Sequence, residues 1–73
     1  MDFIAAVETA TRHMRNADRA LEAGDTDRAA HLADLARKSS ARAIAALGGE
    51  FPELASESEA ALAKFNERHP AAA

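Results

Sequence analysis

The sequence contains no cysteine, no tryptophan and no tyrosine, and only three phenylalanines, three glycines and two prolines in 73 residues. Without cysteine there is neither a disulfide staple nor a thiolate metal site. Without Tyr or Trp, and with all three Phe on the apolar faces of expected helices, there is no stacking platform for single-stranded nucleic acid. No apolar run approaches the ~20 residues of a membrane span. The opening Met-Asp-Phe-Ile-Ala-Ala-Val is apolar but short and its first charge is acidic, so no signal peptide is expected and the cytoplasm is the expected location. Basic charge is not in excess either. The net charge is −3, and residues 50–73 carry five acidic side chains against two basic ones, which is not the balance of a phosphate-binding surface.

What the chain has in quantity is alanine. It supplies 21 of the 35 hydrophobic residues, so the hydrophobic fraction of 48% overstates the core. A chain of this length buries only about 60% of its unfolded surface, and a partner helix is the expected supplement. The abundance of Ala and Arg is also that expected of a GC-rich bacterial or phage genome.

Residues 21–47 organise the rest. They read as the end of one helix, a Gly24-Asp25 turn and a long second helix. Gly24 suits the left-handed conformation that closes a helix, and Asp25 or Thr26 can cap the next. Ala29, Ala33, Ala36, Ser40, Ala43 and Leu47 then recur at alternating spacings of four and three, which places them on one helix face. Leu32, Leu35 and Ile44 widen that face to about half the circumference, more than one antiparallel neighbour needs. Two neighbours are implied: helices 1 and 3 of the same chain, or a second chain. Arg28, Arg37, Lys38 and Arg42 with Asp34 are expected on the outer, solvated side.

The first helix is expected over 2–23, capped by Asp2, with Phe3, Val7, Ala10, Met14, Ala17 and Leu21 as a heptad-like seam. Arg12, Arg15 and Arg19 share the opposite face, where Glu8 and Arg12 have the spacing of a favourable pair. Gly48-Gly49 ends the second helix. The third is expected over 52–68, since proline suits the first helical position, although Ser56 with Glu59 has the form of a capping box and allows a later start. His69-Pro70 and three alanines read as a frayed end. The expected architecture is an all-α three-helix bundle (2–23, 26–47, 52–68), with residues 1–69 as one domain, 70–73 as a disordered tail, and a second copy completing the fold through the seams of helices 1 and 2.

Little in the sequence points to catalysis. Ser39 and Ser40 lie inside a packing face without an adjacent base. His13, His31 and His69 lack the spacing of a zinc site, and Asp25-Thr26-Asp27 lacks the glycine and terminal glutamate of a calcium loop. No cofactor, metal or catalytic residue is expected.

The order Ala17, Leu21, Gly24-Asp25, Ala29, Ala33, Ala36, Ala43, Leu47-Gly48 and Pro52 resembles the central hairpin of HEPN-type domains over residues 10–54. That resemblance implies an all-α bacterial domain that pairs as a homodimer and acts in conflict systems. The arginine and histidine that active members place four to six residues apart have no counterpart here: Arg28 precedes His31 by three, and Arg68 abuts His69. The fourth helix is also missing, so the resemblance implies a shortened, non-cleaving member. The same turn and alanines are similar to half of a tetratricopeptide hairpin, and the size is similar to that of the three-helix microtubule-interacting-and-transport domains.

The function expected from the sequence is that of a small non-enzymatic helical adaptor or accessory subunit. It would act as a homodimer or with another protein, through Val7, Met14, Leu32, Leu35, Ala36, Ala43 and Ile44. The alternative is a HEPN-like accessory or antitoxin component that binds nucleotide or RNA through Arg12, Arg15, Arg19 or Arg37. A third reading is an enzyme completed across an oligomer interface, with His13 or His31 as its base.

Overall fold

The computed structural model of the chain describes residues 3–70. Three helices, α1 (Phe3–Glu22), α2 (Thr26–Leu47) and α3 (Pro52–Arg68), form an all-α bundle 39 Å long. The expected bounds of α2 and α3 hold, and α1 stops one residue earlier than its periodicity suggests. The expected cap Asp2 and residues 71–73 of the expected tail lie outside the described residues.

Local chemistry explains the breaks. Gly24 takes φ +80°, a conformation costly for a residue with a side chain. Its N–H donates to the Leu21 carbonyl, and the Asp25 N–H donates to the Ala20 carbonyl, both at 3.0 Å. The Asp25 carboxylate then accepts from the Arg28 N–H at 3.1 Å, so Asp25 rather than Thr26 caps α2. Gly48, at φ +53°, ends α2 by donating to the Ile44 carbonyl. Pro52 opens α3 with no side-chain cap at Phe51, and the Ser56–Glu59 start is not used.

The α1–α2 hairpin closes on small residues: Ala10, Ala17 and Ala20 from α1 against Ala29, Ala33, Ala36, Ser40 and Ala43 of α2. Small side chains allow a close approach of the two backbones. The α1 seam differs from expectation at its end, where Leu21 is exposed and Ala20 is buried in its place. α3 lies on α2 and buries Phe65 completely against Ala17, Ala33 and Ala36, with Met14, Leu32 and Leu62 packed around them. α1 and α3 cover the alanine seam of α2, while Leu32, Leu35 and Ile44 at the edges of its arc stay half-buried.

Candidate functional site

α3 leans on α2 and reaches α1 mainly at two bridges, one near each end of α3. At the α3 N-terminus the rings of Phe3 and Phe51 stand 5.0 Å apart, tilted by 35°. At the C-terminus the bridge is polar. The Nε2 of His69 donates to Oδ1 of Asp18 at 2.7 Å, and Arg68 grips the same carboxylate with two bonds of 3.2 Å. His69 is only 7% exposed; its ring stacks on Phe65 with centroids 4.4 Å apart, and the Arg68 guanidinium lies over the same Phe65 ring at 5.6 Å. Arg37 completes the clasp from α2, donating to the His69 carbonyl and to Asp34, each at 3.0 Å.

The clasp corrects two expectations. His69 is not part of a frayed end but the residue that ties α3 to α1. Arg37 does not belong to the solvated side of α2: it is half-buried, and its guanidinium is occupied by His69 and Asp34. Burial disfavours the Asp18 carboxylate, but the hydrogen bonds from His69 and Arg68, with the charges of both, outweigh it and hold its pKa below the ordinary aspartate value. A carboxyl with a depressed folded pKa stabilises the fold above its unfolded pKa, and that contribution disappears as pH falls through the folded value. Asp18→Asn should therefore lower stability at neutral pH by about 1–2 kcal/mol, an estimate reduced for the partial exposure of the pair. It should also flatten the loss of stability below about pH 4, as measured by thermal melts followed by circular dichroism. Equal acid sensitivity of the two proteins would remove Asp18 as the cause.

Between the two bridges α1 and α3 enclose a groove of about 340 Å³. Phe3, Val7 and Met14 line it from α1, Leu54, Ser58 and Ala61 from α3, and Ser40, Ala43 and Leu47 of α2 form its floor. Ile4, 56% exposed, and Leu54, 42% exposed, stand at its sides, and the exposed Phe51 closes one end by pairing with Phe3. Two of the four exposed large apolar side chains among the described residues, Ile4 and Leu54, thus line this groove, and a third, Phe51, adjoins it through Phe3. Among the described residues, the charged ones lining it are Glu8 and Glu57, both exposed. Neither forms an ion pair among the described residues, so the pairing of Glu8 with Arg12 suggested by their spacing is not made.

Ser40 is 3% exposed, and its hydroxyl is buried without a hydrogen-bond partner. A buried unsatisfied hydroxyl costs about 1–3 kcal/mol, and alanine is the better helix former. Ser40→Ala should raise stability by about 1 kcal/mol, an increase in Tm of roughly 4–8 °C in a domain of this size. A fall in Tm would mean that the hydroxyl is satisfied in solution. The Nδ1 of the half-buried His13 is likewise buried without a partner.

The residues singled out from the sequence divide among different places. Val7 and Met14 line the groove. Ala43 lies in its floor, Ala36 is covered by helices of the same chain, and Leu32, Leu35 and Ile44 are half-buried along α2. Arg12, Arg15 and Arg19 are exposed on α1 and form no ion pair among the described residues, while His31 is exposed on α2. Sequence reasoning missed Leu54, Glu57 and Ala61 as groove residues and Asp18, Arg68 and His69 as a cluster. Their only signal was that residues 54, 57, 61 and 68 fall on one flank of α3. Among the described residues no three His, Asp or Glu side chains come together as a metal site would need, and no helix is long and apolar enough to cross a membrane. No protein family, curated protein or solved structure matches the chain.

Proposed function

We propose that this chain is a non-enzymatic interaction module, an adaptor or accessory subunit that seats an apolar segment of a partner protein in the groove between α1 and α3. The observation that supports this most is the exposure of Ile4 and Leu54 on an apolar groove that α1 and α3 leave open, with exposed Phe51 adjoining it through Phe3. Monomeric proteins scatter their exposed apolar side chains, whereas a contiguous set around a concave surface marks a binding site. The two bridges hold the groove's walls in place before binding, which reduces the ordering that association requires.

The test is gel filtration with light scattering, with absorbance recorded at 260 nm, on the wild type and on Ala61→Trp, which puts a large ring into the groove from an exposed position. The wild-type chain has neither Tyr nor Trp, so strong absorbance travelling with it comes from a bound molecule. The expected result is a wild-type chain without such absorbance whose partner complexes dissociate in the Ala61→Trp variant. Absorbance at 260 nm lost on charge reversal of Arg12, Arg15 and Arg19 would overturn this reading in favour of the HEPN-like, nucleotide- or RNA-linked one. A homodimer mass that Ala61→Trp leaves unchanged would move the interface away from the groove and back to the faces of α1 and α2.

A further inference from the structure

We propose that the partner segment is a basic amphipathic helix, which inserts two apolar side chains between α1 and α3 and sets Lys or Arg against Glu8 and Glu57. The inference rests on the groove being the binding face and adds the chemistry of its occupant. Three observations carry it. The cavity of about 340 Å³ is roughly twice the ~150 Å³ that takes up one benzene-sized group, so it holds two medium apolar side chains rather than a whole helix. The groove runs lengthwise between α1 and α3, both of which pack on α2, so a helix lying over it takes the fourth corner of a four-helix arrangement. Apolar residues three or four positions apart on such a helix point to the same side and enter the groove together.

Charge then selects among helices. Among the described residues, Glu8 on one wall and Glu57 on the other are the charged residues lining the groove, both are exposed, and no cation pairs with either. A basic side chain on the incoming helix meets an unneutralised carboxylate on either wall, and an acidic one is repelled by both. The same argument opposes a second copy of this chain docked groove to groove, because that arrangement brings Glu8 and Glu57 of each copy towards their equivalents.

The experiment is selection of a phage-displayed library of randomised helical peptides on the full chain, followed by fluorescence anisotropy of the enriched peptides. Enriched sequences should carry two apolar residues at helical spacing with Lys or Arg within one turn. Their affinity should fall at least tenfold on Ala61→Trp and on Leu54→Ser, two substitutions at exposed positions whose folding is checked by circular dichroism. Affinity should also fall about tenfold on the double charge reversal Glu8→Lys, Glu57→Lys, and should weaken with salt. Uncharged or acidic peptides that still lose binding on Ala61→Trp would overturn the basic-helix assignment and leave the groove as the binding face. Peptides indifferent to both groove substitutions, or no enrichment at all, would overturn both. A dimer of the wild type that Ala61→Trp dissolves would make the occupant a second copy, and the basic-helix proposal would fall.

Discussion

Phe65→Ala should come close to unfolding the protein. Phe65 and Leu47 are the largest side chains that are completely buried, and Phe65 is the one α3 side chain fully buried in the α1–α2 cluster, with Leu62 packed beside it. Truncating a buried Phe costs about 3–5 kcal/mol. A domain of this length has roughly 4–11 kcal/mol in total at the usual stability per residue. The loss also spreads, because the Phe65 ring supports His69 by stacking and sits beneath Arg68. Without it both residues that hold Asp18 lose their footing. Thermal unfolding followed by circular dichroism should show Tm lowered by at least about 12 °C, or no cooperative transition at all. A decrease below about 5 °C would mean that α3 is held by its ends rather than by this ring.

The second large effect is expected at the opposite extreme of side-chain size. Ala36 is fully buried where α1, α2 and Phe65 meet. Ala36→Leu adds three carbons where Ala17 and Ala33 already allow no exposure. Overpacking of this kind costs about 1–3 kcal/mol and sometimes more, and helices spaced by alanine have few side-chain rotamers with which to adjust. Ala41→Leu makes the same change on the exposed side of α2 and should stay within about 0.5 kcal/mol of wild type. Urea titrations of the two variants beside the wild type measure the contrast directly. Equal midpoints would show that the α1–α2 packing is looser than its alanines imply.

These two residues also show what could be read in advance. Ala36 belongs to a spacing of four and three that only a helix face explains, and Gly24-Asp25 and Pro52 carry their own local instructions for ending and starting helices. The order and bounds of the helices were legible for that reason. The clasp was not, because Asp18 and His69 lie 51 positions apart in the chain and His69 follows the last periodic residue of α3. The helical angle of Arg37 points to solvent, and nothing local indicates that it reaches the His69 carbonyl 32 residues away. The groove was illegible for a related reason. Whether α3 packs against α1 or only meets it near two bridges depends on the bulk of Phe65 and on those bridges, and periodicity reports the direction of a face but not the distance to its neighbour.

The alanine contact between α1 and α2 has a consequence for how the molecule moves. Alanine has no rotamers to freeze, so closing the hairpin loses backbone freedom alone, and its contacts can form in turn outward from the single Gly24-Asp25 turn. α3 is anchored by one fully buried side chain and a clasp partly open to water. The hairpin is thus the persistent frame and α3 the element that opens at the lowest free energy. The width of the cleft is set by its less stable wall, so a substitution that breaks the clasp widens the groove while leaving the hairpin folded.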